Sequence, residues 1–392
     1  MPWLEVSAMD ERRAFVRLAL LEGANRRELC RRFGISPDVG YKWLRRAVAG
    51  ELELGDRSRR PLTSPDRTAE ALEAAVLEVR DAHPAWGARK IERRLRALGL
   101  EPPAVSTVHA ILRRHGRVAP DPVSPGKAWT RFERETPNAL WQMDFKGWVR
   151  LGSGAPLHPL TVIDDHSRFA PCLKACADQK GSTVRPHLEE TFRRHGLPDA
   201  LFVDNGRPWG DPRGGDRWTR LGVWLLKLGV EVIHSRPYHP QGRGKNERFH
   251  RTLNAELLAL RTFADLPAAQ TAFDRWRDLY NHERPHEALG QEPPASRYRP
   301  SPRSMPERLP EPAYDEGEIV RTVSTTKDYI SFKGRLWRVP KAFRGERLAI
   351  RPTDKDGRYA VCFASWPVAT IDLTDPEAVS HVPEHVSAIS PD

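Results

Sequence analysis

Cysteine is scarce: Cys30, Cys172, Cys176 and Cys362 are four in 392 residues, too few and too scattered for a disulfide framework. Only Cys172 and Cys176 have metal-like spacing. They lie in an apolar run without a second cysteine pair or a close histidine pair, so they read as packed thiols rather than a zinc site. No stretch approaches the roughly 18 apolar residues that span a bilayer, so no membrane role is expected. The opening Met-Pro-Trp-Leu-Glu-Val-Ser-Ala-Met-Asp lacks a basic segment followed by an apolar core, which makes a cytoplasmic location the expectation. Acidic residues are outnumbered, 52 against 63 Lys and Arg, and the net charge of +11 favours a polyanionic partner such as nucleic acid.

What the chain has is length and periodicity. Its 392 residues exceed one ordinary domain. Residues 10–50 predict three helices at helix-turn-helix spacing: one to about Leu21, one from Asn25 to Phe33, and a third after the turn Gly34-Ile35-Ser36. Ser36 is a natural N-cap there and Pro37 suits the first helical position. Val39, Trp43 and Leu44 form the apolar face of that third helix, which leaves Asp38, Tyr41, Lys42, Arg45 and Arg46 to meet a major groove. This unit is delimited as 8–52. A second all-α unit of like architecture, 64–118, follows from an acidic helix Thr68 to Ala82, a helix Gly87 to Leu98, and a last helix from a Ser106 cap to near Gly116. Thr107, His109, Arg113 and Arg114 are its DNA-facing candidates. The connector Gly55-Asp56-Arg57-Ser58-Arg59-Arg60-Pro61 is extended; Arg57, Arg59 and Arg60 either track phosphates or belong to a solvated linker.

From Arg117 to Asn138 the chain is a Pro-rich link. Residues 136–300 alternate strand and helix patterns: Leu140 to Leu151, Leu157 to Ile163 and Phe169 to Ala175 as strands, Ser182 to Arg194 as a helix, Leu201 to Val203 as a strand. A helix Thr219 to Leu228, a strand Val230 to Ser235 and helices Lys245 to Leu260 and Leu266 to Asn281 complete an α/β unit. Beyond Pro300, short strands with Lys333-Gly334 and Asp356-Gly357 turns predict a small β-barrel over 312–375. Lys327, Lys333, Arg335, Arg338, Lys341 and Arg344 make its early half basic, which suits phosphate contacts or a soluble surface equally.

Three acids stand in separate settings: Asp144 in Leu-Trp-Gln-Met-Asp-Phe, Asp204 in Leu-Phe-Val-Asp-Asn-Gly, and Glu247 in Gly-Arg-Gly-Lys-Asn-Glu-Arg-Phe-His. Two Asp at strand ends and a Glu on a helix can converge, and three converging carboxylates repel one another unless cations sit among them. Hard oxygen ligands suit Mg²⁺ or Mn²⁺, and two such ions about 3.5 to 4 Å apart activate and stabilise both oxygens of an in-line phosphodiester displacement. Lys245, Arg248 and Arg251 around Glu247 suit a phosphate-binding face. Tyr238 to Gly242 ahead of that helix reads as a mobile loop, with His239 as an ordinary loop histidine. Asp199, Asp211 and Asp216 read as solvated.

These residues resemble the bacterial insertion-sequence transposases of the Asp-Asp-Glu type, whose core is similar to retroviral integrase. The resemblance runs through Trp141-Gln142-Met143-Asp144, Val162-Ile163-Asp164-Asp165-His166-Ser167-Arg168, Asp204-Asn205-Gly206, His234 to Gln241, Gly244 to His250, and Asn281-His282-Glu283-Arg284-Pro285-His286. It implies a multidomain chain: all-α helix-turn-helix units, an α/β RNase H-like core, and a small C-terminal β-barrel. It places Asp144 on the first strand, Asp204 after the fourth and Glu247 on a helix after the fifth, as catalytic residues and ligands of two Mg²⁺ (or Mn²⁺) ions. Asp164 and Asp165 take a structural hydrogen-bonding role at a turn with Ser167 and Arg168. Asp204 and Glu247 lie farther apart in sequence than in the retroviral relatives, and Trp209 to Trp218 reads as a surface insertion that absorbs the difference. The implied partners are double-stranded DNA, as element ends and target, and further copies of the chain in a dimer or larger assembly. The implied setting is the bacterial nucleoid. A plain nuclease with the same core and a catalytically inactive, transposase-derived DNA-binding regulator are the rival readings.

Overall fold

The computed structural model describes residues 7–51, 53–57, 67–118, 133–210, 218–235 and 244–375. They fall in two compact units, Met1–Arg67 and Thr68–Asp392. The first unit holds α1 (Ala8–Ala19), α2 (Arg26–Arg32) and α3 (Pro37–Val48). Each helix is opened by the residue type that satisfies its free N–H groups: Ser7 accepts from Asp10, Asn25 from Glu28 and Ser36 from Val39. Phe15, Val16, Ala19, Leu29, Cys30, Trp43, Leu44 and Leu54 form its core. Val39, expected on the inner face, is 39% exposed, and Gly40 is buried in its stead. A Cβ on Gly40 would lie 2.5 Å from Cys30 Sγ and 2.8 Å from Phe15 Cζ, so α3 crosses its neighbours too closely for any side chain there.

The second unit begins with α4 (Glu70–Ala82), α5 (Ala88–Ala97) and α6 (Val105–Arg114) around Val76, Trp86, Ile91, Leu95, Val108, Ile111 and Leu112. Ser106 is not the cap of α6. The helix starts after Ala104, whose extended backbone offers its carbonyl to Thr107 and Val108, and Ser106 sits inside the first turn. The α5 arginines face the segment after the last core helix: Arg93 holds both oxygens of Glu292 at 2.8 Å, Arg94 pairs with Glu283, and Arg89 lies 3.3 Å from Glu287.

The core sheet contains β1 (Trp141–Phe145), β2 (Val149–Arg150), β3 (Pro156–Asp164), β4 (Cys172–Cys176), β5 (Ala200–Val203) and β6 (Glu231–His234). Its order is β2-β3-β1-β5-β6, with β4 also on β3. The β1, β3 and β4 strands meander antiparallel, whereas β1, β5 and β6 run parallel. The long first strand expected over 140–151 is split because Gly147 takes φ 97° in a turn that side chains disfavour. One face packs on α7 (Gly181–His195) and α8 (Arg220–Lys227) through Trp141, Met143, Leu160, Val162, Phe192, Leu201 and Trp224. The other packs on α9 (Gly244–Leu253) and α10 (Leu266–His282) through Leu157, Ile163, Leu173, Phe249, Leu253, Phe273 and Trp276. Each such side chain contributes about 1.5–3 kcal/mol when fully buried. Helix α9 continues into a π-helical turn, Asn254–Leu258. All four cysteines are free and buried; burial pushes the Cys176 thiol up to about 12.

The C-terminal region is β-rich, but its strands do not close into the expected barrel. Strands β7 (Ile319–Thr322), β10 (Arg347–Pro352), β11 (Arg358–Phe363) and β12 (Trp366–Asp372) form an open sheet, and β8 (Tyr329–Phe332) and β9 (Arg335–Arg338) form a separate hairpin turned by Lys333 and Gly334. Alternation explains this. Ile330, Phe332 and Trp337 all point to the core shared with Leu348, Ile350, Val361 and Phe363, so the hairpin meets the sheet by its apolar face and not by its edges. Among the described residues no helix is long and apolar enough to cross a membrane.

Candidate active site

Trp141 pairs with Leu201 and Gln142 with Phe202 across the parallel strands β1 and β5. Asp144 is the fourth residue of β1, two positions beyond the last of these pairs, and Asp204 directly follows the end of β5. Both are partly buried. Asp144 Oδ1 accepts from the Phe145 N–H at 2.8 Å, and Thr161 Oγ1 donates to the Asp144 carbonyl at 2.9 Å. Asp204 Oδ1 accepts from the Gly206 N–H at 3.0 Å, and a Cβ at Gly206 would come within 3.1 Å of Asp204 Oδ2, so glycine leaves room for that carboxylate. His234 Nδ1 lies 3.0 Å from the Asp204 carbonyl, and Asn205 Nδ2 donates to the Ser235 carbonyl at 2.8 Å, which fixes the strand end. Trp209, expected in a surface insertion, is buried at 4% exposure and stacks on Phe145, joining the two Asp-bearing segments. Trp218, at the other end of that expected insertion, lies edge-on to Phe343, whereas 211–217 lie outside the described residues, as do Tyr238 to Gly242 with His239.

Helix α9 carries Glu247. It buries Asn246, Phe249 and Leu253, with Phe249 edge-on to Trp276 and Tyr280, and this leaves Glu247, Arg248 and Arg251 exposed. His250, one turn on, places Nε2 2.8 Å from the Thr161 hydroxyl that serves the Asp144 carbonyl, so α9 is fastened beside β1. Yet no three His, Cys, Asp or Glu side chains among the described residues are grouped to hold one ion. The fold thus puts Asp144 on β1 and Asp204 at the end of the adjacent β5, and fastens the Glu247 helix beside β1, without grouping the three into one ligand set among the described residues.

The adjacent acids Asp164 and Asp165 are wholly buried and structural. Asp164 accepts from Ser167 N at 2.7 Å, Ser167 Oγ at 2.5 Å and Asn138 N at 2.7 Å; burial raises its pKa against those bonds. Asp165 accepts from Arg134 N and Gln142 Nε2, each at 2.8 Å, and from Lys245 Nζ at 2.5 Å. Burial lowers the pKa of Lys245. Asn281 clamps Ala170 through both its amide atoms, Arg284 binds Glu256 at 2.8 Å, and burial pushes His286 down to about 3.

The residues read from sequence as DNA-facing divide. Tyr41, Arg45, Arg113 and Arg251 are exposed, and Lys42 lies with Nζ 4.8 Å from the Trp43 ring centroid. Arg46 is turned inward onto Glu51 at 2.7 Å and the Gly55 carbonyl at 2.9 Å, and Arg114 binds the buried Glu73 at 2.6 Å. Arg57 also pairs with Glu51, and Arg248 lies 3.7 Å from Glu287. Arg59 and Arg60 lie outside the described residues. Sequence reasoning missed the α5 arginines. The signal was present in Glu283, Glu287 and Glu292, acids without another use.

Residues 134–240 and 228–294 match family models described as integrase core domain. Residues 318–378 match the IS481 family transposase C-terminal domain, 11–61 a helix-turn-helix domain and 39–112 a homeodomain-like domain. The chain is 28% identical over 239 residues to the insertion element IS476 uncharacterized 39.2 kDa protein of Xanthomonas euvesicatoria, covering 59% of this chain and 65% of that protein. It is 30% identical over 153 residues to the insertion element IS407 uncharacterized 31.7 kDa protein of Burkholderia multivorans, covering 39% and 52%. Among solved structures, a simian T-cell lymphotropic virus intasome overlaps with a TM-score of 0.37 at 16% identity, over 77% of this chain and 99% of that one. The HTLV-2 integrase catalytic core in complex with magnesium overlaps with a TM-score of 0.32 at 15% identity, over 42% and 97%. The chain spans less than two thirds of the length of these insertion-element relatives; its core, its C-terminal region and its helix-turn-helix segments support a bacterial insertion-sequence transposase with an integrase-like core.

Proposed function

We propose that the protein is a DNA transposase that binds element ends, hydrolyses the phosphodiester at the 3′ end of the element, and transfers the freed 3′ hydroxyl to target DNA. The observation that carries this is Asp144 on β1 and Asp204 just past the end of the adjacent parallel strand β5, with the Glu247 helix tied to β1 through His250 and Thr161. The donor set is all carboxylate oxygen and fits Mg²⁺ or Mn²⁺, so Asp144, Asp204 and Glu247 are the residues that would hold two such ions. When bound, the ions supply Lewis-acid activation of the attacking oxygen and stabilise the leaving one. The protein's part is to hold the two Asp-bearing strand ends together, to keep them rigid through Asn205, Gly206 and Trp209, and to carry Glu247 on a helix fastened to β1 through His250 and Thr161. Exposed Tyr41, Lys42, Arg45, Arg113 and Arg251 contact DNA, in a division of labour among 8–52, 64–118, 136–300 and 312–375. Two DNA ends must be held together, so the active species is a dimer or larger assembly on double-stranded DNA, in the bacterial cytoplasm.

The unclosed ligand set favours one second reading, an inactive transposase-derived regulator. Labelled element-end duplexes incubated with the full chain and Mg²⁺ or Mn²⁺ separate the readings. Nicked and joined products are expected from the wild type, and Asp204→Asn is expected to bind the same DNA without either product. Cleavage by Asp204→Asn at the wild-type rate refutes the carboxylate assignment, wild-type nicking without joining identifies a plain nuclease, and binding without any product identifies the regulator.

A further inference from the structure

We infer that Lys245 is a positioning residue, not a DNA contact, and that Asp165 is the anchor through which it holds the Glu247 helix to the strand of Asp144. This rests on the carboxylate reading above. The Asp165 carboxylate is fully buried, and the Lys245 side chain that meets it is only 18% exposed. Its two other donors are the Arg134 N–H, on the segment leading into β1, and the Gln142 side-chain amide on β1. One buried carboxylate therefore binds the residue two positions before Asp144 and the residue two positions before Glu247. In a strand, positions two apart share a face, so Gln142 and Asp144 move together. In a helix they are turned roughly 200° from each other, so drawing Lys245 inward at the first turn of α9 points position 247 away from Asp165. Lys245 Nζ also lies 3.3 Å from the Asp165 carbonyl, which leaves the ammonium doubly bonded to one residue.

The test is Mn²⁺ binding to the DNA-free full chain by calorimetry, alongside DNA affinity as a function of salt. Lys245→Met is expected to weaken Mn²⁺ binding about tenfold, as loss of a group that orients a ligand does. DNA affinity and its salt dependence are expected to stay at wild-type values. A phosphate-binding Lys245 instead leaves Mn²⁺ binding intact and reduces the salt slope by about 1, which overturns the inference. Asp165→Asn keeps the shape of the anchor and guards against misfolding of the first variant. It is expected to show the same Mn²⁺ defect, and the double variant no more than either single. Additive defects overturn the coupling. If Asp204→Asn abolishes Mn²⁺ binding and both anchor variants retain it, the inference alone fails. If Asp204→Asn binds Mn²⁺ like wild type, the inference falls together with the carboxylate reading.

Discussion

Gly40→Ala sets two effects of known size against each other in α3, the helix proposed to enter the major groove. Alanine is favoured over glycine in a helix interior by about 1 kcal/mol, so propensity alone predicts stabilisation. The added methyl, however, lies 2.5 Å from Cys30 Sγ and 2.8 Å from Phe15 Cζ, and those residues are 1% and 2% exposed with nowhere to retreat. Overpacking of this kind costs about 1–3 kcal/mol, so the net expectation is a loss of about 1 kcal/mol. Hydrogen exchange over residues 8–54 of the full chain reads this locally: amides of α1 and α3 are expected to exchange about fivefold faster, since 1.4 kcal/mol is a factor of ten. Adding Cys30→Ala removes the closer contact and is expected to return part of the protection. Exchange slower in Gly40→Ala than in wild type shows that propensity wins and refutes the steric argument.

Two further outcomes follow from buried and paired charges. Arg93→Glu turns the two-oxygen contact with Glu292 into repulsion; with Glu292 47% exposed, the loss is held to about 1–2 kcal/mol. Faster exchange in α4, α5 and α6 is expected, reversed by the swap Arg93→Glu with Glu292→Arg; an unreversed defect refutes a role for the pair in docking. His286 is held neutral down to about 3 by burial first and by Arg284 next, against 6.5 when free. Below 6.5 the unfolded chain takes up a proton that the folded chain refuses, so stability falls as pH drops from 6.5 towards 3, by at most about 1.4 kcal/mol per pH unit. His286→Gln is expected to flatten the loss of urea stability between about pH 6.5 and 5, and an unchanged slope excludes His286 as its source.

Much of the integrase-like core was legible because period and termination are local. Leu-Phe-Val is too short and apolar to be anything but a buried strand, and Asp204 follows where its side chains cease to be covered. The N-caps Asn25 and Ser36 were readable for the same reason. What was not legible depends on partners distant in sequence. Arg46 and Arg114 looked like groove-facing cations until Glu51 and Glu73 are seen to hold them. Nothing local to Lys245 indicates that Asp165, 80 positions away, faces it. The barrel failed similarly: the alternation in β8 and β9 fixes which side chains are buried, whereas closure depends on which edges meet.

The positive charge that suggested a nucleic-acid partner is therefore not one reservoir. Exposed pairs such as Arg248 with Glu287, at 55% and 54% exposure, are worth roughly 0–1 kcal/mol, and a DNA phosphate displaces the acid at little cost. Breaking Lys245 from Asp165 leaves a carboxylate at 0% exposure with neutral donors in place of its paired ammonium, a loss of about 3–5 kcal/mol that a single phosphate contact does not offset. On the proposed function, DNA arriving at α9 meets the exposed Arg248 and Arg251 while Lys245 stays clasped. On that proposal, α9 offers Arg248 and Arg251 to the DNA backbone on its exposed face while its buried face, through Lys245 and Asp165, stays pinned to the strand of Asp144.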